Sequence, residues 1–234
     1  MDVLVIDVGG SHVKLCLSPD VENGEKFESD ARLTPESLVE QVRAHTSDWH
    51  YDVISIGFPG VVGRNRPDAE PGNLGDGWVG FDFEHAFGKP VRLVNDAMLQ
   101  ALGAYDGGRM IFLGLGTGLG STLISEHVLV PLELGDLPLR DGETMSQRLS
   151  REGLRRNGHE RWLADVHEVC SIVRKAMVAD YLVLGGGNAE RVDPLPDAVR
   201  RGSNKDACAG GFRLWEEFVE PHDREPHNVW RVVR

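Results

Sequence analysis

Short apolar runs alternate with helix-forming segments along this chain. Six runs have the length and composition of buried strands, at residues 3–8, 13–17, 53–56, 91–94, 110–113 and 181–184. A further strand and turn is predicted at 121–132. Because strands and helical segments follow one another from end to end, the pattern predicts an α/β protein.

The helical segments are marked by caps and by apolar stripes. Thr34, Pro35 and Glu36 form a helix start, with Leu38 and Val42 on its apolar face. Further helices are predicted at 81–87, 97–104, 143–179 and, roughly, 206–217. In the long segment 143–179 a core-facing stripe at spacings of three and four is predicted, formed by Trp162, Val166, Val169, Val173 and Ala176.

The stretch from 91 to 124 carries the most chemistry. Asp96 follows an apolar run and precedes a helix, so it lies at the carboxyl end of a strand, where open α/β sheets bind ligands. Asp also caps helices routinely, and that reading stays open. The run from Gly114 to Gly120 follows the next strand, and its alternate glycines allow backbone amides to approach an anion closely.

Three glycine turns follow strands, and we expect them to bind phosphate or nucleotide. Their residues are Gly9, Gly10 and Ser11, then Gly116, Thr117 and Gly118, then Gly185, Gly186 and Gly187. The first two turns share a strand–turn–strand design, which indicates a weak internal repeat. Neither fits the Walker or dinucleotide patterns. Lys14 is a candidate phosphate ligand, although a lysine at such a position is more often a surface residue.

Composition narrows the function classes. The chain has 234 residues, a formal net charge of −12 and no apolar stretch long enough for a transmembrane helix, so we expect a cytoplasmic protein that binds neither nucleic acid nor membranes. The three cysteines are far apart in sequence. They indicate no disulfide framework and no zinc site, and we expect buried thiols.

Two polar segments are candidate substrate contacts. The glycine-rich loop 65–80 carries Asn73, and either a substrate contact or a surface excursion would account for its length. Glu133 and Asp136 add two carboxylates at a turn. Six arginines lie between 140 and 161, where they either follow an extended polyanion or pair with the interleaved Glu143, Glu152 and Glu160.

Six ordered motifs together resemble the ROK family of sugar kinases, and most closely its short branch of polyphosphate-dependent glucokinases. The motifs are the DVGGSHVK run at 7–14, GFPG at 57–60, VNDA at 94–97, LGTGLG at 115–120, ELG at 133–135 and LGGG at 184–187. The resemblance covers residues 1 to about 187. It implies an actin-like, hexokinase-like (ribonuclease H-like) α/β fold of two domains with a cleft between them.

That resemblance implies a domain 1–108, with the first phosphate loop, the sugar pocket and the catalytic aspartate. A domain 109–234 would hold the second phosphate loop and the donor site. Asp96 would be the general base that accepts the proton of a hexose hydroxyl. Asn95, Glu133, Asp136, Gly60 and Asn73 are the expected sugar contacts. The first two glycine turns would hold the phosphates of ATP or polyphosphate, and Asp7 would hold Mg²⁺ directly or through water.

Two departures from the family pattern change the expectations. No cysteine cluster reproduces the zinc site of many members, so we expect no zinc. Asp136 stands where the family has histidine, and an ionised carboxylate only accepts hydrogen bonds. A glucose-like hexose is the expected sugar, and Asp136 adds an amino sugar, another hexose or a different polyol as alternatives to plain glucose. We expect a homodimer.

Two alternatives of other classes are disfavoured. The family's repressors carry a DNA-binding helix-turn-helix ahead of the sugar domain, and because the first predicted strand begins at Asp2, we expect no such segment here. A sugar sensor of the same fold without catalysis is the other alternative, and the retained Asn95–Asp96 pair argues against it.

Overall fold

The computed structural model describes residues 1–126, 128–203 and 205–216, and contacts divide them into two compact units. The first unit contains Met1–Gly103 together with residues 207–216, and the second contains the described residues of Ala104–Asp206. The division into domains 1–108 and 109–234 stays a proposal. In the described part of the chain, no helix combines the length and apolarity that crossing a membrane requires.

The first unit is built around a mixed sheet with the strand order β3-β2-β1-β4-β7. Its strands are β1 (Val3–Val8), β2 (His12–Leu17), β3 (Asp20–Glu28), β4 (Val53–Phe58), β5 (Val62–Gly63), β6 (Arg66–Pro67) and β7 (Val91–Asn95). Its helices are α1 (Pro35–His45), α2 (Phe83–Phe87) and α3 (Asp96–Ala104), with the C-terminal helix described below. β1 pairs antiparallel with β2 and parallel with β4, which pairs parallel with β7.

Both central strands of this sheet are buried along their whole length, as expected for apolar strands covered on both faces. Alternate residues of β1, among them Leu4 and Ile6, pack in one core with Leu38 and Val42 of α1. The predicted start of α1 is confirmed, because the Thr34 side chain accepts a hydrogen bond from the Ser37 amide.

The second unit repeats the same sheet plan, with the strand order β10-β9-β8-β13-β14. Its strands are β8 (Arg109–Leu115), β9 (Leu119–Ser125), β10 (Val128–Leu132), β11 (Pro138–Arg140), β12 (Glu143–Thr144), β13 (Tyr181–Gly185) and β14 (Val199–Arg201). Its helices are α4 (Met145–Leu149), α5 (Arg151–Asn157) and α6 (His159–Ala176), with 3₁₀ turns at Leu134–Asp136 and Ala189–Arg191. In each sheet a three-stranded antiparallel part continues into two parallel strands, as an internal repeat predicts.

The single helical segment predicted at 143–179 is wrong in detail, because it is three helices preceded by a short strand. Ser150 ends α4 and caps α5, where its side chain accepts a bond from the Gly153 amide at 3.2 Å. Gly158 then has φ +77, which is outside helical geometry and separates α5 from α6. The predicted stripe is buried from Trp162 to Val173, whereas Ala176 is exposed.

The last described helix, α7 (Asp206–Arg213), is shorter than predicted, and Glu217 lies outside the described residues. It packs on the first unit, where Ser55 of β4 donates to the Gly211 carbonyl at 2.6 Å. Cys208 of α7 forms a disulfide with Cys16 of β2, so the expectation of buried free thiols is wrong for this pair. A separation of 192 residues hides such a pair from any sequence spacing. Cys170 is free and buried, and burial raises the pKa of its thiol to about 12.

Candidate functional site

The first glycine turn joins β1 to β2 and is held from one side by Ser29. The Ser29 hydroxyl donates to the Gly9 carbonyl at 2.6 Å, and its amide donates to the Ser11 carbonyl at 3.1 Å. The Gly9 amide closes the turn on the His12 carbonyl at 3.0 Å. In the described part of the chain, the amides of Gly10 and Ser11 have no such acceptor. These two amides are therefore the donors that the turn can offer to an anion.

Asp7 lies at the end of β1, where only 7% of its surface is exposed. It stands opposite Lys14 on one neighbouring strand and opposite Gly57 on the other. Burial raises the pKa of the Asp7 carboxyl, and the positive charge of Lys14 partly offsets that effect. Asp7 is thus a desolvated carboxylate beside a cation, a setting typical of functional groups.

Gly57 brings Asp7 and Asp96 to the same point of the first unit. A Cβ at Gly57 would lie 3.4 Å from Asp7 Oδ1 and 3.4 Å from the Asp96 Cα. Asp7 and Asp96 therefore both lie next to Gly57, and Leu99 Cδ2 is closer still, 2.9 Å from the same Cβ position. Asp96 begins α3, and its Oδ1 accepts a hydrogen bond from the Ala97 amide at 2.8 Å. The helix N-terminus favours a negative charge at this position.

Asn95 and Gly60, both predicted sugar contacts, lie together beside Asp96. The Asn95 Nδ2 donates to the Gly60 carbonyl at 3.1 Å, and its Oδ1 accepts from the Ala97 amide at 2.9 Å. Each end of the side-chain amide thus has one partner and keeps capacity for one more. Asn95 fixes the 57–60 turn against the start of α3 in addition to any ligand it holds.

The loop that carries Asn73 is packed against the first unit rather than extended over its surface. The Glu70 carboxylate accepts hydrogen bonds from the amides of Gly77, Trp78 and Val79 at 3.1–3.3 Å. Trp78 is fully buried against Phe58. Asn73 itself is half-buried in the preceding turn, and its contact with substrate stays a proposal.

The second glycine turn joins β8 to β9 in the second unit. The Gly116 amide donates to the Gly118 carbonyl at 3.1 Å, and the Gly116 carbonyl accepts from the Arg151 amide at 2.8 Å. Thr117, at the tip, is exposed. Within the described residues, the amides of Thr117 and Gly118 have no such acceptor, and they are the ones available to phosphate oxygens.

Two serines that the sequence did not single out place Glu133 beside this second turn. Ser121 donates to the Leu132 carbonyl at 2.8 Å and accepts from the Leu134 amide at 3.0 Å, which pins both sides of Glu133. Ser146 accepts from the Leu119 amide at 3.1 Å. A Cβ on Gly135 would lie 3.2 Å from Ser146 Cβ, and one on Gly118 would lie 3.3 Å from Ser146 Oγ. Ser146 therefore joins the Glu133 turn to the phosphate turn.

Glu133 and Asp136 act on one another electrostatically. Partial burial raises the pKa of Glu133, and the negative charge of Asp136 raises it further. Asp136 is exposed, at the end of the 3₁₀ turn that follows Glu133. The pair offers acceptors to hydroxyl or ammonium donors.

The third glycine turn packs against the second. Gly185 ends β13 opposite Gly114. Gly186 has φ +77, and a Cβ there would lie 2.6 Å from the Leu115 carbonyl oxygen. A Cβ at Gly187 would have no neighbouring atom within 4 Å. Gly186 thus has a packing role, whereas Gly187 is the residue of this turn that remains open to a ligand.

The arginine cluster is mostly paired, which favours the salt-bridge interpretation. Of the six arginines, five have carboxylate partners: Arg140 with Glu168, Arg148 with Glu143 and Asp165, Arg155 with Glu152, Arg156 with Glu143, and Arg161 with Asp141. Arg151 has no ion pair among the described residues.

Three serines that support the glycine turns could not be found from the sequence. Ser29, Ser121 and Ser146 carried no sequence signal, because their roles depend on strands that meet only in the fold.

A separate surface cavity of about 250 Å³ lies at the C-terminal end of α1. Arg43, Trp49, Tyr51 and Lys89 are among its lining residues, and none of the predicted site residues is. Among the described residues, no group of three or more His, Cys, Asp or Glu side chains forms a metal-binding cluster.

The chain is similar to known sugar kinases in both sequence and fold. The chain is 27% identical over 212 residues to a polyphosphate glucokinase of Mycobacterium leprae, in an alignment that covers 80% of this chain and 64% of that protein. The fold matches an inorganic polyphosphate/ATP-glucomannokinase of Arthrobacter sp. strain KM, with a TM-score of 0.75, 23% identity, and coverage of 89% of this chain and 96% of the other.

A ROK family glucokinase of Streptomyces griseus, in complex with glucose and AMPPNP, matches with a TM-score of 0.70 and 16% identity over 90% of this chain and 97% of that one. No family model matches the sequence. These structural matches show the actin-like, hexokinase-like fold, and the prediction of that fold is confirmed.

Proposed function

We propose that this chain, a homologue of the ROK sugar kinases, transfers a phosphoryl group from polyphosphate or ATP to a hydroxyl of a hexose. The observation that carries the proposal is the convergence of Asp7, Gly57 and Asp96 at the carboxyl ends of β1, β4 and β7. The chain aligns with 64% of the length of the M. leprae relative, so the activity is argued from the residues that are present.

Asp96 is the proposed general base. A hydroxyl is a poor nucleophile at neutral pH, and a carboxylate that accepts its proton in the transition state accelerates transfer by about 10²–10⁴. The Ala97 amide fixes one Asp96 oxygen at 2.8 Å, which orients the carboxylate. The N-terminus of α3 stabilises the negative charge of the Asp96 carboxylate before it accepts the proton.

The phosphates are held by amides that the turns leave available. Those of Gly10 and Ser11 in the first unit, and of Thr117 and Gly118 in the second, are the proposed donors. Such fixed donors stabilise charge on the transferring group without reorganisation. Asp7 lies at the end of the strand that leads into the first glycine turn, and its hard oxygen ligands fit Mg²⁺ that is bound mainly by donor phosphates and water. Mg²⁺ would neutralise the phosphate charge.

The sugar that receives the phosphoryl group would be held by hydrogen-bond acceptors and by one side-chain amide. Asn95 has a spare N–H and a spare lone pair beside Asp96, and Glu133 and Asp136 offer carboxylate oxygens in the second unit. The Gly60 carbonyl and Asn73 complete the proposed sugar contacts. Because Asp136 accepts hydrogen bonds only, an amino sugar or another polyol is a second candidate acceptor.

A panel assay tests the proposal. Glucose, mannose, N-acetylmannosamine, glucosamine and glycerol are each incubated with ATP or with polyphosphate, with and without Mg²⁺, and phosphorylated products are detected by ³¹P NMR. We expect a Mg²⁺-dependent hexose phosphate with at least one donor. If no sugar is phosphorylated while calorimetry shows that sugars bind, the protein is a sugar sensor of the same fold.

A further inference from the structure

Four residues form a row across the first sheet. Register places Gly57 of β4, Asp7 of β1, Lys14 of β2 and Lys26 of β3 directly opposite one another in turn. Directly opposed residues on neighbouring strands point to the same face of a sheet. The row therefore begins beside Asp96 and runs past Asp7 to the edge strand β3.

The two lysines of this row repel one another, and only Lys14 has a carboxylate residue, Asp7, directly opposite on its other side. Like charges directly opposite on adjacent strands destabilise a sheet. No carboxylate lies within 4 Å of either lysine nitrogen among the described residues, although acidic residues outnumber basic ones by 37 to 25 in the whole chain. Lys14 is half-buried and Lys26 is exposed, so an extended anion from solvent can reach both.

The other charged groups on this face define how far the site extends. Asp7 lies before Lys14 in the row, and the next opposed pair on the same face is His12 with Glu28. Glu28 is diagonal to Lys14 and is the one carboxylate on β3 that shares its face near the turn. It would repel a phosphate chain that continued past the first glycine turn, and so it limits the path to the lysine row.

We propose that Lys14 and Lys26 bind the phosphate chain of the donor behind the transferring phosphoryl group. This inference rests on the proposed function. Neighbouring strands lie about 4.8 Å apart, so β3 lies about 10 Å from β1, a span that several linked phosphates cover. Lys14 beside Asp7 contacts the phosphates nearest the reaction, and Lys26 contacts those further along the chain. Lysine suits this role because its ammonium acts as a point charge toward phosphate.

Replacing Lys26 tests this assignment without requiring turnover. Binding of inorganic tripolyphosphate is measured by calorimetry for wild type, Lys26→Gln and Lys26→Glu, with Lys175→Gln as the matched control on the exposed face of α6. We expect Lys26→Gln to weaken binding about tenfold, as the loss of one charge-assisted hydrogen bond predicts, and to flatten its dependence on salt. The control should bind like wild type.

The Lys26→Glu variant separates a binding role from a structural one. It places opposite charges on the Lys14–Lys26 position, so we expect the unliganded protein to unfold at a higher temperature and tripolyphosphate binding to fall further than in Lys26→Gln. Unchanged tripolyphosphate binding in Lys26→Gln, or an equal loss in Lys175→Gln, overturns the inference. If tripolyphosphate binding depends on Lys26 while no sugar is phosphorylated, the lysine site stands and the proposed kinase activity fails.

Discussion

Replacing Gly186 with alanine should strongly destabilise the second unit, whereas the same change at Gly187 should not. Gly186 has φ +77, and its Cβ would lie 2.6, 2.8 and 2.9 Å from the carbonyl oxygen, carbonyl carbon and nitrogen of Leu115. These are backbone atoms of β8, so no side chain can rotate away to make room. Gly187 has no atom within 4 Å of its hypothetical Cβ.

The magnitude follows from two separate costs. A left-handed backbone costs an L-residue about 1–2 kcal/mol, and inserting a methyl group into a packed site costs about 1–3 kcal/mol more. We therefore expect Gly186→Ala to lower the free energy of unfolding by about 2–5 kcal/mol. Gly187→Ala should stay within about 0.5 kcal/mol of wild type, as is usual for open surface positions.

Urea denaturation followed by circular dichroism measures both variants, and hydrogen exchange of the β13 amides assigns the loss to the second unit. The reasoning is refuted if Gly186→Ala matches wild type, or if both alanine variants lose stability equally. In the second case the turn would be sensitive to any side chain, and the close approach of Gly186 to Leu115 would not be the cause.

Three further predictions concern charges and cysteines. Burial raises the pKa of Asp7, so the ionised carboxylate destabilises the folded state at pH 7. Asp7→Asn should therefore raise the thermal unfolding midpoint at pH 7, and the difference from wild type should vanish below the ordinary carboxyl pKa of 3.8. Equal midpoints at pH 7 would argue against a desolvated carboxylate. Arg148→Met breaks the buried ion pair with Asp165 and should lower the free energy of unfolding in urea by about 3 kcal/mol. This is the low end for a broken buried pair, because Arg140 still lies 3.7 Å from Asp165. Arg155→Met, at an exposed arginine, is the control, and similar losses in both variants would contradict a larger role for the buried pair. Thiol titration of the unreduced, denatured protein should detect Cys170 alone, and detection of all three cysteines would show that Cys16 and Cys208 are not joined.

The strands and turns that carry the candidate chemistry could be predicted because their local patterns are strong. Apolar runs ended by Asp7, by Asn95 and by Gly114 predicted β1, β7 and β8 and the turns after them. The similarity to sugar kinases rested on these same turns, and the comparisons confirm it. Apolar periodicity also predicted the buried face of α6 from Trp162 to Val173.

Features that depend on distant contacts could not be predicted. Of the nine residues of β3, one apolar residue, Phe27, is buried, so no apolar–polar alternation indicates a strand there. For the same reason the sequence did not indicate the roles of Ser29 and Lys26. The break at Ser150 falls inside a segment rich in helix formers. The packing of α7 on the first unit is fixed by contacts with β2 and β4, as in the Cys16–Cys208 bond, across most of the chain.

The central claim is that Asp96 accepts the proton of the sugar hydroxyl, and one paired measurement tests it most directly. Single-turnover phosphoryl transfer and sugar binding are measured on the same preparations of wild type, Asp96→Asn and the control Asp48→Asn, which changes an exposed carboxylate. We predict that Asp96→Asn binds sugar like wild type and transfers at least about 100-fold more slowly, while Asp48→Asn is unaffected. Transfer at the wild-type rate by folded, sugar-binding Asp96→Asn would contradict the account.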